Sequence, residues 1–224
     1  MVNKNNVLKV IEEVDSKKIV AATKYVGVDA IKELVDLGIK DIGENRVDAF
    51  LAKYEVLQDL DITWHFIGHL QSKKVKHVIN KINYLHSLDR LSLADAIEKY
   101  AVLPIDCFIE VNISDETSKY GLPVSEVSSF CEKLKNYDKI HIVGLMGMAK
   151  LTEDKDEIKQ EFMKLSNLLE ELNKESNLDI KYLSMGMSND YKIALESGST
   201  HVRLGSILFR NEEWLWGYFQ TRKK

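Results

Sequence analysis

Lys18-Ile19-Val20-Ala21-Ala22-Thr23, closed by Lys24, holds four small or branched apolar residues in a row with no polar side chain among them. A strand apolar on both faces belongs inside an α/β layer structure, where it is covered from each side. Short β-rich runs recur at residues 39–42, 63–67, 84–87, 105–112, 140–145, 182–185 and 200–204, separated by stretches of helical spacing. The clearest of these, 156–176, sets Ile158, Phe162, Leu165, Leu169 and Leu172 three or four residues apart, which makes one apolar stripe. Gly38 and Gly198 follow helix-like segments at 30–37 and 191–197, where left-handed caps are wanted, and Pro123 suits a first helical turn. An additional amphipathic helix, with Val7, Leu8, Ile11 and Val14 on one face, precedes the first strand. Eight strand-then-helix units in 224 residues favour an α/β fold of the closed (β/α)8 TIM-barrel type over an open doubly wound sheet. Residues 1–224 are therefore expected to form a single domain with an extra N-terminal helix.

Composition narrows the function classes. A net charge of −4 supplies no global field for nucleic acid or anionic lipid, and the basic run Lys73, Lys74, Lys76, His77 and Lys81 lacks aromatic residues for base stacking. That run reads as a solvated helix face. Cys107 in an apolar run and Cys131 in a helix-like stretch read as small core residues, which fits a reducing cytoplasm better than a disulfide framework. Residues 1–13 interleave charged with apolar side chains, unlike a signal peptide, and no window reaches membrane-spanning length. A soluble, cytoplasmic protein is expected.

In a barrel the reactive face is the rim at the carboxyl ends of the strands. Lys24 lies there, behind an apolar strand that can strip part of its hydration and make its amine a nucleophile toward carbonyls. The alternative is a snorkelling or ion-paired lysine. After the seventh and eighth strands come Gly186-Met187-Ser188-Asn189 and Gly205-Ser206, residues able to cradle a phosphate through backbone amides and hydroxyls. Taken alone they also read as turn and cap residues. A strand-1 lysine facing a phosphate cup suits a ligand carrying both an aldehyde and a phosphate, which is pyridoxal 5′-phosphate (PLP). Arg203, near the end of the eighth strand, is placed to face the pyridine nitrogen, where a permanent cation keeps that nitrogen unprotonated and weakens the ring as an electron sink.

Several phrases carry a family resemblance: Ala22-Thr23-Lys24, Ile42-Gly43-Glu44-Asn45-Arg46-Val47, the run WHFIGHLQ at 64–71, Val111-Asn112-Ile113-Ser114, Gly144-Leu145-Met146, the run LSMGMS at 183–188, and Gly198-Ser199-Thr200-His201-Val202-Arg203-Leu204-Gly205. Together they resemble the YggS/PROSC family of pyridoxal phosphate homeostasis proteins from about residue 18 to 209. The resemblance implies a PLP fold type III barrel like the alanine racemase N-terminal domain, with Lys24 as the Schiff-base lysine. It also implies that Ser188, Gly205 and Ser206 hold the phosphate, that Arg203 faces the pyridine nitrogen, and that Asn45 sits beside the ring. Tyr25-Val26-Gly27, Ser72-Lys73, Ser206 and Arg210 depart from the family's usual wording; Ser206 keeps the hydroxyl that threonine normally supplies.

Other signals weigh less. His65 and His69 lie four apart but within a strand-like run, so no zinc motif exists and no metal is expected. Trp214, Trp216, Tyr218 and Phe219 crowd the C-terminal tail as a final sealing helix or a self-association patch. Glu44 and Arg46 are spaced to pair across their loop. The leading expectation is a monomeric, non-catalytic PLP carrier that supplies or buffers the cofactor, with PLP-requiring apo-enzymes as recipients. Against it stand a fold type III racemase or decarboxylase, and an aldolase-like barrel that uses Lys24 without PLP. The racemase reading wants a β-rich domain after the barrel, and only 19 residues follow Gly205.

Overall fold

The structure, a computed structural model, describes residues 1–116, 120–175 and 178–209. In chain order its elements are α1 (Lys4–Val14), β1 (Ile19–Ala22), α2 (Val28–Asp36), β2 (Asp41–Glu44), α3 (Val47–Leu57), β3 (Thr63–Phe66), α4 (Val75–Val78) and β4 (Tyr84–Leu88). They continue with α5 (Leu91–Tyr100), β5 (Ile105–Asn112), β6 (Leu122–Pro123), α6 (Val124–Leu134), β7 (Ile140–Gly147), α7 (Lys155–Glu175), β8 (Tyr182–Ser184), α8 (Tyr191–Glu196), β9 (Val202–Leu204) and α9 (Ser206–Phe209).

All strand pairs are parallel, in the order β8-β7-β5-β4-β3-β2-β1-β9. A parallel bridge between Ser184 and His201 brings the two edges together. The backbone bonds Met185 N–H to His201 O (3.1 Å) and Arg203 N–H to Gly186 O (2.9 Å) complete the near-closed barrel of eight staves. The two-residue β6, which periodicity does not predict, pairs with β5 outside the ring of staves.

Two environments are buried. Between strands and helices lies the main apolar layer, which includes Ile19 and Ala21 of β1 and Ile31 and Leu34 of α2, and in which Cys107 and Cys131 are fully buried free thiols. Burial holds both thiols up, Cys131 to about 11. Inside the ring the apolar content is small: Phe108, Val143 and Met146, with Tyr84 and Met148 against them. The rest of that interior is polar, with His65, His86, Glu110, Ser184 and Arg203 all 5% exposed or less. A barrel normally fills its centre with layers of branched apolar residues, so this substitution is the fold's most informative departure.

Gly38 and Gly198 adopt left-handed φ values of 96° and 95°, as their cap positions require. Pro123 stands at the N-cap of α6, one residue ahead of the predicted first turn. One expectation for α1 fails: Leu8 is half exposed, and the buried face is Val7, Val10 and Val14. The seven-residue step from Val7 to Val14 with Val10 between keeps one stripe, and Leu8 falls 100° away from Val7. The helix docks on α8 and α9 by polar bonds, Asn6 Nδ2 to Ile207 O at 3.2 Å and Tyr191 Oη to Glu13 Oε2 at 2.6 Å. The aromatic tail from Trp214 to Phe219 lies outside the described residues.

Candidate functional site

Register places the predicted residues at one rim. Ala22 pairs with Gly43, and Ala21 pairs with Leu204, so Lys24, Asn45 and Gly205 leave neighbouring staves at their carboxyl ends. Lys24 is exposed, its Nζ 4.9 Å from the centre of the Tyr25 ring. The amine lies in an exposed position beyond the strand end, beside the Tyr25 ring.

Beneath Lys24 the floor is rigid. Thr23 Oγ1 donates to Glu44 Oε1 at 2.8 Å, and Lys53 Nζ reaches the Thr23 carbonyl at 2.8 Å as well as Glu44 Oε1. Glu44 is fully buried, and its partner is Lys53 of α3 where the sequence predicted Arg46. The reason is orientation: the last residue of β2 points inward under the loop, while Arg46 turns out to solvent. Asn45 donates its N–H to Glu44 Oε2 at 3.3 Å, and its Oδ1 is buried with no hydrogen-bond partner. A β-carbon at Gly68 would lie 2.3 Å from Asn45 O, so glycine alone lets the loop after β3 press against Asn45.

Ser188 and Gly205, two of the residues expected to cradle a phosphate, are in contact. Ser188 Oγ accepts the N–H groups of Gly205 (3.2 Å) and Ile207 (3.3 Å). A hydroxyl has two acceptor sites and one proton, so Ser188 keeps its O–H free to donate. Ser206 opens α9 beside it, half-buried. Asp190 folds back to accept the Met187 N–H at 2.5 Å, which fixes the turn carrying Ser188. A cleft of about 690 Å³ bounded by residues of α1, α7 and α8 includes Ser188 and Ile207 in its wall, and neither Lys24 nor Arg203 lines it.

Arg203 is 5% exposed and held from two staves. Its Nη1 donates to Ser184 O and Ser184 Oγ, both at 2.6 Å, and its Nη2 to Gly147 O at 3.1 Å. Three of the five N–H donors of a guanidinium are thereby engaged and two remain. Burial lowers its pKa to about 10, against the opposing pull of Glu110 and Asp190, so it stays cationic at neutral pH. Glu110, inside the barrel near it, has its carboxyl pushed up to about 7 by burial, with Asp89 adding to the rise, and its Oε2 has no partner.

Sequence reasoning missed Ser184, His86, Glu110 and Lys53. Inward alternation along β4, β5 and β8 could have marked the first three as interior. His65 and His69 are no metal pair: His65 bonds His86 and Asp41 inside the barrel, while His69 stacks on Tyr120 at 4.2 Å. Among the described residues no cluster of three metal-binding side chains occurs, and no helix is long and apolar enough to cross a membrane.

The alanine racemase N-terminal domain family model matches residues 3–212. A pyridoxal phosphate homeostasis protein of Aquifex aeolicus is 40% identical over 200 residues, which span 88% of each chain. The chain belongs to the pyridoxal phosphate homeostasis family. A second member, from Pseudomonas aeruginosa, is 33% identical over 194 residues, covering 85% of this chain and 83% of its own. Among solved structures, PipY of Synechococcus elongatus PCC7942 superposes with a TM-score of 0.87 without PLP, at 29% identity over 92% of this chain and 99% of that one. Its PLP-bound form gives 0.85 at 28% identity, with the same coverage. The alanine racemase of E. faecalis shares the fold at a TM-score of 0.72 and 11% identity; this family member spans 58% of that enzyme's length.

Proposed function

We propose that this chain binds PLP at the carboxyl-end mouth of its barrel, with the aldehyde condensed on Lys24 as a Schiff base, and serves as a reversible store or supplier of the cofactor. The observation that carries the reading is Arg203: a buried cation, clamped from β7 and β8, with two donors left for a ligand in the mouth. The ring nitrogen would accept from this guanidinium, and Asn45 would lie beside the ring. Ser188 O–H, the hydroxyl of Ser206 and the backbone around Gly205 would hold the phosphate. PLP supplies an aldehyde for amine capture and, with a protonated ring, an electron sink; a permanent donor at the ring nitrogen mutes the second.

Exposure of Lys24 supports a carrier over an enzyme, because carbanion chemistry needs water excluded from the reacting amine. In this reading residues 1–224 act as one domain, a monomer in the cytoplasm, and PLP-requiring apo-enzymes draw the cofactor from it. No residue is assigned to turnover and no metal is involved.

The test is an absorbance titration with PLP followed by borohydride reduction and peptide mapping. The expected adduct is on Lys24, and Lys24→Ala should abolish it without changing the circular dichroism spectrum. An adduct on another lysine, or sustained racemisation of amino acids by the pure protein, would overturn the reading.

A further inference from the structure

Below the mouth, side chains from five staves form one unbroken line of hydrogen bonds through the barrel. Arg203 Nη1 meets Ser184 Oγ at 2.6 Å, Ser184 Oγ meets His86 Nδ1 at 2.8 Å, His86 Nε2 meets His65 Nδ1 at 2.9 Å, and His65 Nε2 meets Asp41 Oδ1 at 2.8 Å. Arg203, Ser184, His86 and His65 are 5% exposed or less. Asp41 opens β2 at the opposite rim, its side chain 23% exposed.

The two ends dictate every proton in between. A guanidinium only donates, so Ser184 Oγ must accept from it. Among the described residues the other hydrogen-bonding neighbour of the Ser184 hydroxyl is His86 Nδ1, so its proton goes there, and His86 must carry its own proton on Nε2. That proton points at His65 Nδ1, which is therefore an acceptor, and the His65 Nε2–H donates to the Asp41 carboxylate. The reverse order would leave the Ser184 hydroxyl proton without an acceptor in a buried site and set a His65 lone pair against a carboxylate. Both are costly.

Neutrality of the two imidazoles agrees with this order. Burial pushes His86 well below the usual histidine range, and it pushes His65 down although Asp41 opposes the shift. Packing fixes the ring planes: Tyr84 stacks on His65 at 4.7 Å and Phe108 on His86 at 4.3 Å. Ionisable groups facing the line also include His201, lowered to about 4 by burial, Tyr84, Glu110 and, beside Arg203, Asp190. His201 lies 6.2 Å and 6.4 Å from the two rings without a hydrogen bond to either.

We propose that Asp41, His65, His86 and Ser184 are positioning residues for Arg203: a one-way relay of four hydrogen bonds that fixes its guanidinium as a donor to the cofactor ring and couples the mouth to a carboxylate at the opposite end of the barrel. The coupling rests on the reading of Arg203 given above; the proton order does not. Each link polarises the next toward Asp41, so a carboxylate there makes Ser184 Oγ a stronger acceptor and anchors Nη1 more firmly. A neutral group at position 41 loosens that anchor through a line of contacts without touching the mouth.

The experiment has two arms. In the ligand-free protein, long-range proton–nitrogen NMR of the imidazoles is expected to show His65 and His86 neutral and protonated on Nε2 at pH 7; a proton on Nδ1 of either ring, or a charged ring, overturns the relay. In the second arm, Asp41→Asn keeps an acceptor but removes the charge at a partly exposed rim, and His86→Phe keeps the stacked ring but cuts the line. Both are expected to shift the absorbance maximum of bound PLP and weaken its binding, about fivefold for Asp41→Asn and more for His86→Phe. If His86→Phe does not fold, Asp41→Asn decides. Wild-type spectrum and affinity in a folded Asp41→Asn overturn the coupling. A wild-type protein that takes up no PLP removes the functional reading and the coupling with it, while the NMR arm judges the proton order by itself.

Discussion

At the scale of single residues, the mouth is organised by which protons are already engaged. Ser188 uses both acceptor sites on Gly205 and Ile207 and has only its proton to offer, which makes it a preoriented donor for an anion. Ser188→Ala combined with Ser206→Ala removes two hydroxyls that would face a dianion. At about 1.5 kcal/mol or more for each bond to a charged group, PLP binding should weaken by roughly 100-fold. Phosphate-free pyridoxal, measured by the same absorbance titration, should lose less than about twofold, and equal losses would remove the cup. Glu110 gives a second residue-level expectation. Its carboxyl rises from 4.5 to about 7 on burial, so the folded chain holds a proton that the unfolded chain releases between those values. Its destabilising contribution is absent below pH 4.5, grows as pH rises, and is complete above pH 7. Glu110→Gln should stabilise the protein at pH 8 by up to about 3 kcal/mol and leave it nearly unchanged at pH 4.5, which urea melts at both values would show. A gain of equal size at both would mean that the titration of Glu110 is not its source.

Among elements, the join between α3 and the first two strands sets the height of the mouth. Lys53 reaches from α3 to the fully buried Glu44 and to the carbonyl just before Lys24, so one ammonium neutralises the floor and holds two loops. Lys53→Met fills the space but leaves Glu44 without its countercharge, a loss expected to cost about 3 kcal/mol of stability. Glu44→Gln in the same background should recover most of it; a chemical-denaturation cycle measures both. This join also shows how far the chain reads directly. The eight staves are visible as short runs rich in β-formers, and their ends fall within about two residues of expectation. The rim residues Lys24, Asn45, Ser188, Gly205 and Ser206 are visible because position after a strand end implies position at the mouth, while Arg203 is marked by its place near the end of the last strand. Pairings across the barrel are not visible. Glu44 pointed to Arg46 by proximity along the chain, yet burial of its strand end gave it Lys53. Ser184 and His86 are 98 residues apart, and nothing local to either foretells their contact.

For the whole molecule, the weak line is the closure between β8 and β9. Neighbouring pairs share runs of registered residues, as β7 with β8 and β1 with β9 do, but β8 meets β9 in a single bridge, Ser184 with His201, supported by flanking backbone bonds. The proposed ligand contacts straddle that line: Ser188 follows β8, Arg203 and Gly205 belong to β9 and its exit, and Lys24 follows β1 next door. Occupancy should therefore close the barrel where it is thinnest. At 100 times the dissociation constant, PLP adds about 2.7 kcal/mol to stability, and the melting temperature should rise by roughly 5–11 °C for a chain of this size. Hydrogen exchange locates the effect. The amides of Met185, His201 and Arg203, which bond across the line, should slow more on PLP binding than those of Ile67 and Asn83, which bond across β2–β3 and β3–β4. Protection confined to the β2–β4 side would place the ligand away from the closure and separate cofactor binding from barrel closure. Protection across the line in wild type that is lost in Lys24→Ala would instead make the Lys24 bond the clasp that joins β1 to the β8–β9 edge.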